Sequence, residues 1–283
     1  MLPTLAFSHV AMATRWQIRI DADLAQEYAA GIAEEAFSRI DQIEKILSRF
    51  IPSSDIARAN ALQAGQSIEI EADTWECLTD AQKIAHATRR AFDPSAGKLI
   101  DFWKNQNRAS FACNGGFCDE MPEWREAFED FRFGTLALEP ERRIRCITHG
   151  ALLDLGGIGK GFALDKAAEI LQQHGIERAL LSAGGSTILA LDAPKNTEGW
   201  KIGFSDDTPP VRIARRAVGS SGTQFHATHL IDPRSGLPAS NKNHARVLAP
   251  SATEADALAT AFYVMTEREI TAFLAPRPEI SRI

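Results

Sequence analysis

Cysteine is scarce in this chain, and the cysteines present lack the spacing of a disulfide framework or a CxxC metal site. Four occur in 283 residues, at Cys77, Cys113, Cys118 and Cys146. No two of them have CxxC spacing, and disulfide-stapled domains are shorter and far denser in cysteine. We therefore predict free thiols in a reducing compartment, with metal binding as the weaker alternative, and assign them no part in the chemistry.

A long hydrophobic run is also absent. A transmembrane helix needs about 20 consecutive, mainly apolar residues, and no stretch of the chain approaches that length. Residues 1–7 lack the basic segment that precedes the hydrophobic stretch of a signal peptide. We expect no transmembrane segment and a cytoplasmic location, and a periplasmic location after removal of an export signal stays open.

Clustered positive charge is the third absence. The chain has 31 Lys and Arg against 37 Asp and Glu, a formal net charge of −6, and its basic residues are scattered. Binding to nucleic-acid phosphates normally requires a concentrated basic surface. We therefore expect no nucleic-acid partner, and a small molecule or a protein as the substrate.

The patterns that are present indicate a mixture of helices and strands. Apolar residues recur at helical intervals on one face of a long helix that should end before Pro52: Phe37, Ile40, Ile43, Ile46, Leu47 and Phe50. Residues 7–20, 151–154, 179–183 and 187–191 are typical of strands, residues 73–90 and 162–174 of helices, and strands should resume after residue 121. We predict an α/β or α+β fold in which helices flank mixed sheets, as a single domain of two packed lobes that divide near residue 120.

Residues 154–161, with the sequence DLGGIGKG, have the most distinctive local chemistry. Their four glycines let the backbone approach a ligand, the following helix start presents free N–H groups, and Lys160 adds positive charge, a combination suited to phosphate. A Walker loop is excluded because Gly161 rather than Ser or Thr follows the lysine, and the spacing does not match GxGxxG. A phosphate-bearing ligand is one interpretation, and a tight strand-to-helix connection is the other.

Two oxygen-bearing side chains near the C-terminus form a possible metal site. Ser251 and Glu254 have capping-box spacing, so a helix should begin there. Asp256 and Thr260 are four residues apart and would lie on one face of that helix. Hard oxygen ligands suit Mg²⁺, which also accepts phosphate and water oxygens. The structural alternative is an Asp near the positive end of the helix dipole and a Thr that bonds back to the preceding turn.

Residues 229–238, with the sequence HLIDPRSGLP, place a histidine beside a turn bounded by Pro and Gly. A histidine is readily tuned to accept a proton near neutral pH, so His229 is the candidate general base. His226 and His244 are nearby competitors.

Five segments occurring in one order resemble the ApbE-type FAD:protein FMN transferase family: residues 92–99, 154–161, 182–185, 229–238 and 254–261. The resemblance extends from residue 12 to about residue 265. It implies a Mg²⁺-dependent enzyme that binds FAD in a groove between the lobes. Such an enzyme moves the FMN half of FAD onto a Thr or Ser hydroxyl of another flavoprotein and releases AMP.

The resemblance also assigns individual residues. Asp256, Thr260 and the backbone carbonyl of Gly157 correspond to metal ligands, and His229 to the base. The positions assigned to FAD are Met12, Phe50, Ala91, Phe92, Asp93, Asp154, Lys160 and Leu230. Phe50 stands where a Tyr is usual, which would keep ring stacking but remove a phenolic hydrogen bond. For the apolar positions, ordinary core packing is the alternative explanation.

Two other functions use the same residues. With water in place of the acceptor hydroxyl, the site would be a Mg²⁺-dependent FAD diphosphatase that yields FMN and AMP. Without turnover, the chain would be an FAD-binding protein that stores or delivers the flavin, although such a protein would need neither a base nor a metal. The first two functions differ in where the flavin finishes, on protein or in solution.

Overall fold

The structure, a computed structural model, describes residues 4–105, 122–133, 135–206, 208–222, 230–239 and 244–283. The helices are α1 (Gln26–Leu47), α2 (Asp55–Asn60), α3 (Ala72–Ala87), α4 (Gly97–Asn105), α5 (Pro122–Phe133), α6 (Gly159–Gln173), α7 (Ala252–Val264) and α8 (Glu267–Leu274). The strands are β1 (Leu5–Ala11), β2 (Thr14–Ile20), β3 (Ser67–Glu69), β4 (Thr135–Glu139), β5 (Arg143–Thr148), β6 (Ala179–Ala183), β7 (Thr187–Ala190), β8 (Trp200–Ile202), β9 (Val211–Ile213), β10 (Arg216–Gly222), β11 (Ile231–Asp232), β12 (Leu237–Pro238), β13 (His244–Ala249) and β14 (Ser281–Arg282).

A seven-stranded sheet forms the centre of the fold. Its strand order is β1-β2-β6-β7-β10-β13-β14, and every neighbouring pair is antiparallel. Helix α7 packs on β10 and β13, α6 packs on α7, and α1 packs on α6. The mixture of helix and sheet predicted from the sequence is confirmed. The sheet takes β1 and β2 from the first 120 residues and its other strands from the rest, and the division into lobes near residue 120 stays a prediction.

Glycine permits the close packing of α7 on the sheet. Gly219 lies on β10, and a Cβ added there would overlap the backbone carbonyl of Ala255 in α7. A larger residue would push the helix away from the strand, because protein interiors have few voids to absorb the shift. The position of α7, which carries Asp256 and Thr260, therefore depends on this contact.

The first strand predicted from the sequence is two strands. Residues 7–20 form the hairpin of β1 and β2, and its two-residue turn consists of Met12 and Ala13 at φ values of 48° and 55°. Such turns normally use Asn or Gly, which tolerate positive φ. Because neither residue is present, the sequence carries no turn signal at this point. Left-handed backbone at non-glycine residues is often found at functional sites.

Other local predictions have mixed outcomes. Helix α1 buries Phe37, Ile40 and Ile43 as predicted, but Phe50 lies beyond its end and is 77% exposed. The segment after residue 121 begins with helix α5 rather than a strand, and residues 151–154 form a single bridge, at Leu152, in place of the predicted strand. Helix α3 spans Ala72–Ala87, close to the predicted residues 73–90, and the carboxylate of Asp73 in its first turn accepts two hydrogen bonds from Arg39, at 2.8 and 2.7 Å.

A second apolar cluster supports the hairpin of β11 and β12. It combines side chains from α4 and α5 with Ile231. The indole N–H groups of Trp103 and Trp124 both donate to the carbonyl of Gly236, at 2.8 and 3.0 Å. These two bonds fix the hairpin to the helices.

The cysteines that the structure describes are Cys77 and Cys146, and both are free and buried. Burial raises the pKa of the Cys77 thiol, which keeps it protonated and unreactive. Cys113 and Cys118 lie outside the described residues. Among the described helices, none combines the length and apolar character needed to cross a membrane.

Candidate active site

The glycine-rich turn and the α7 pair meet where α6 contacts α7. Helix α6 begins at Gly159, three residues earlier than predicted, so the end of the glycine run forms its first turn. A Cβ on Gly161 would overlap the carbonyl of Ala252. This close approach lets the backbone N–H of Gly161 donate to Asp256 Oδ2 at 3.1 Å. An N–H group at the start of α6 therefore binds a carboxylate of the protein itself.

Asp256 is a buried carboxylate with three hydrogen-bond donors around it. Its residue is only 4% exposed. The hydroxyl of Thr187 donates to Oδ1 at 2.8 Å, and the Lys160 ammonium donates to Oδ2 at 3.3 Å, beside the Gly161 N–H. A carboxylate this deeply buried is stable in its charged form only with such partners.

Thr260 and Gly157 lie close to each other, and Thr260 contacts the backbone of Asp256. Thr260 is one turn after Asp256 on α7, and its Oγ1 donates back to the Asp256 carbonyl at 3.4 Å. A Cβ added at Gly157 would lie 3.1 Å from Thr260 Oγ1 and 3.3 Å from Phe92 Cε2. The structure thus brings together all three residues that the resemblance assigns to the metal.

These residues fit a Mg²⁺ ion by their chemistry. They offer a carboxylate, a hydroxyl and a backbone carbonyl, which are the hard oxygen donors that Mg²⁺ prefers, and a small donor set leaves room for phosphate oxygens. The Lys160 ammonium lies between Asp256 Oδ2 and the Gly156 carbonyl, at 3.3 and 3.2 Å, so a cation already occupies this place. Within the described ranges, no group of three or more His, Cys, Asp or Glu residues is arranged to hold a metal.

Asp154 connects the glycine turn to Phe50 through Arg49. Asp154 Oδ1 accepts from the Gly156 N–H at 2.8 Å, and Oδ2 forms an ion pair with Arg49 Nε at 2.9 Å, although that N–H is not aligned for a hydrogen bond. Arg49 also donates to both carboxylate oxygens of Asp101, at 2.8 and 2.5 Å. The hydrogen bond that Arg49 donates to Asp101 raises the pKa of its guanidinium, burial lowers this pKa, and the charge of Asp154 raises it further.

Phe50 is positioned for ring stacking. The Arg49 guanidinium carbon lies 4.7 Å from the centre of the Phe50 ring, and the residue is otherwise exposed to solvent. An exposed aromatic ring beside a buried ion-pair network is a surface on which another planar group can stack. Core packing, the alternative explanation, does not apply to this residue.

Residues 91–93 form a buried turn beside the glycine run. Ala91 and Phe92 are buried, and the Pro94 carbonyl accepts from the Asp154 N–H at 2.8 Å. The side chain of Asp93 accepts from Ser95, at 2.9 Å from its N–H and 2.6 Å from its hydroxyl, and pairs with Arg90 at 2.5 Å. The Asp93 carboxylate therefore holds its own turn in place.

Met12 and Leu230, which the resemblance also assigns to FAD, belong to the β1–β2 turn and to the segment just before β11. Met12 is at the tip of the β1–β2 hairpin, beside the β6–β7 turn, where a Cβ on Gly184 would collide with the side chain of Thr14. Leu230 is partly buried against the main core, and its carbonyl accepts from the Ala239 N–H at 2.8 Å. His229 lies outside the described residues, so its role as base stays a prediction.

Sequence reasoning missed two residues of the site. Thr187 is fully buried and binds Asp256, and Arg49 links Asp154 to Phe50. Thr187 follows the Gly184-Gly185 pair by two residues, and a hydroxyl at the first position of a buried strand, close after two glycines, is the available signal. Arg49 had no signal beyond its place beside Phe50.

Replacing Thr187 with Val should lower both the stability of the protein and the affinity of the candidate metal site for Mg²⁺. Valine keeps the shape but leaves Asp256 Oδ1 without its donor, which should cost about 1–3 kcal/mol in the free energy of unfolding. The carboxylate would also be free to rotate, so the Mg²⁺ concentration for half-maximal binding should rise several-fold. Denaturant unfolding and a Mg²⁺ titration measure the two effects.

Thr253→Val is the matched control. The Thr253 hydroxyl donates to Asp165 at 2.6 Å, is also buried, and lies on the same helix α7 but outside the Asp256 group. This variant should lose comparable stability with unchanged affinity for Mg²⁺. Equal shifts in Mg²⁺ affinity for both variants would contradict the role given to Thr187.

Comparisons with known proteins find a matching family and named relatives. The sequence model of the ApbE family matches residues 12–283. The chain is 25% identical over 303 residues to the FAD:protein FMN transferase of Treponema pallidum (strain Nichols), with 98% of this chain and 83% of that one covered. It is 25% identical over 277 residues to the FAD:protein FMN transferase of Escherichia coli (strain K12), with coverages of 90% and 76%.

Solved structures show the same fold. The flavin transferase ApbE from Vibrio cholerae superposes with a TM-score of 0.81 at 23% identity, covering 99% of this chain and 93% of that one. The ApbE protein from Thermotoga maritima gives the same TM-score, identity and coverages.

Proposed function

Because the chain belongs to the ApbE family, we propose that it transfers the FMN part of FAD to a Thr or Ser hydroxyl of an acceptor flavoprotein, with Mg²⁺ and with release of AMP. The observation that carries the proposal is the meeting of Asp256, Thr260 and Gly157 beside Lys160. Oxygen donors for a metal and an ammonium for phosphate lie within one small region, at the start of α6. A pyrophosphate such as that of FAD needs this combination of charges.

Different residues would bind the metal, the phosphates and the ring systems of FAD. Asp256, Thr260 and the Gly157 carbonyl would hold Mg²⁺. Bound there, the metal would neutralise pyrophosphate charge and stabilise the AMP leaving group. Lys160 and the glycine-rich backbone would bind the same phosphates. Phe50 would provide an exposed ring for the flavin or adenine to stack on, whereas Ala91 and Phe92 are buried in the main core.

The transfer itself exchanges one phosphate ester for another. His229 takes the proton from the acceptor hydroxyl, whose oxygen then bonds to the phosphorus on the FMN side. The bond from that phosphorus to the bridging oxygen breaks, and AMP departs with its oxygen. The products are a phosphoester-linked FMN on the acceptor and free AMP.

The location of the flavin after the reaction distinguishes the candidate functions. The purified protein is incubated with FAD and Mg²⁺, with and without a flavoprotein carrying a surface Thr or Ser, and AMP and free FMN are separated by chromatography. The proposal predicts AMP that depends on the acceptor, with little free FMN. Equal AMP and free FMN without acceptor would make the chain a diphosphatase, and FAD binding without AMP under either condition would make it a binding protein.

A further inference from the structure

Lys160 and the proposed metal compete for one carboxylate. The Lys160 ammonium lies 3.3 Å from Asp256 Oδ2 and 3.2 Å from the Gly156 carbonyl. The other oxygen, Oδ1, is engaged by the Thr187 hydroxyl at 2.8 Å. Lys160, which the resemblance assigns to FAD, is therefore the counter-ion of Asp256, which the resemblance assigns to the metal.

We propose that Lys160 is the resident counter-ion of Asp256 in the metal-free protein and that divalent-metal binding displaces its ammonium, which then turns to the FAD phosphates. The proposal rests on the proposed function for its metal and its phosphate. It adds an order of events: the ammonium neutralises the buried carboxylate first, and the metal then replaces the ammonium.

Burial explains why a resident cation is needed. Asp256 is 4% exposed, and its neutral partners, the Thr187 hydroxyl and the Gly161 N–H, leave the carboxylate's full charge uncompensated. An ionised group in such a place is costly unless a counter-charge is close. Lys160 supplies that charge without a metal.

Partial exposure and a long side chain explain why the Lys160 ammonium can leave Asp256. The Lys160 side chain keeps 23% of its surface exposed, whereas that of Asp256 keeps 5%. Lys160 lies in the first turn of α6, where a long flexible side chain can swing from the carboxylate to solvent or to a ligand in front of the helix. A divalent cation beside Asp256 would repel the ammonium and drive this movement.

Displacement couples the two ligands. Metal binding releases the ammonium for phosphate, and phosphate binding removes a competitor of the metal. Each ligand should therefore tighten the binding of the other by the same factor. Lys160 would carry this coupling in addition to its direct contact with FAD.

The test is Mn²⁺ binding to the FAD-free full chain, followed by electron paramagnetic resonance of the free ion. Lys160→Met removes the charge while keeping most of the side-chain volume, and Mn²⁺ should bind about 3- to 10-fold more tightly than to the parent protein. Unchanged or weaker binding would overturn the proposal. So would a parent protein and variant that both bind no Mn²⁺, because the metal position must exist before FAD arrives.

Lys166→Met is the matched control. Lys166 lies on the same helix, is 7% exposed, and pairs with Glu76 at 2.8 Å and Glu169 at 3.1 Å, away from Asp256. Its loss should leave Mn²⁺ affinity unchanged, and an equal gain would show a general charge effect and overturn the proposal. If Lys160→Met fails to fold, Lys160→Gln serves in its place with the same expected gain.

The result is independent of the proposed transfer. The titration contains no FAD and no acceptor, so an absence of FMN transfer leaves its outcome intact. Conversely, a chain that transfers FMN but whose Lys160→Met variant gains no Mn²⁺ affinity would keep the proposed function and lose this inference.

Discussion

Replacing Asp256 with Asn should lower Mg²⁺-dependent AMP release from FAD by about three orders of magnitude. The change removes the only carboxylate of the proposed metal donors and places an amide where Gly161 and Lys160 donate hydrogen bonds. Transition-state stabilisation by a bound metal is worth several kcal/mol, and most of it should be lost. The rate of AMP formation at saturating FAD and increasing Mg²⁺ measures the effect.

Asp165→Asn separates this catalytic effect from a loss of folding. Asp165 is a second, partly buried carboxylate that binds α7, accepting from the N–H groups of Ala252 and Thr253 at 2.9 and 2.8 Å. Its replacement should lower the free energy of unfolding by a similar amount and leave AMP release near the parent rate. If Asp256→Asn kept parental activity, the metal assignment would be wrong.

Replacing His229 with Ala should reduce FMN transfer by about two to four orders of magnitude while FAD binding is retained. The imidazole is assigned to the proton of the acceptor hydroxyl, and its removal affects the reaction rather than the pyrophosphate contacts. Single-turnover transfer to the acceptor and equilibrium binding of FAD measure the two properties separately.

Variants of the competing histidines complete the test. His244 opens β13, and its Nδ1 lies 3.4 Å from the Asp206 carboxylate at the surface. His244→Ala and His226→Ala should both retain transfer. Loss of transfer in His226→Ala with parental rates in His229→Ala would move the base to the other histidine.

The helix-borne part of the site was predictable from the sequence. Asp256 and Thr260 share a face because four residues make about one helical turn, and Ser251, whose hydroxyl accepts from the Glu254 N–H at 3.1 Å, marks where α7 begins. The glycine run by itself predicts a site of close approach. It does not predict what approaches, because Gly161 meets Ala252, which lies far along the chain on another helix.

The parts that sequence reasoning missed depend on long-range packing. Thr187 reaches Asp256 only because β7 and α7 pack together, and its place after two glycines does not show which residue it contacts. The Met12-Ala13 turn was missed for a different reason. Its left-handed backbone is held by the pairing of β1 with β2 rather than by residues that favour it.

The intact mass of an acceptor flavoprotein tests the central claim most directly. The acceptor is incubated with this protein, FAD and Mg²⁺, then denatured and analysed by mass spectrometry, with a parallel sample in EDTA. Our account predicts a mass gain equal to FMN less one water, located on a Thr or Ser, and no gain in EDTA. An unchanged acceptor mass while FAD is converted to free FMN and AMP would contradict it.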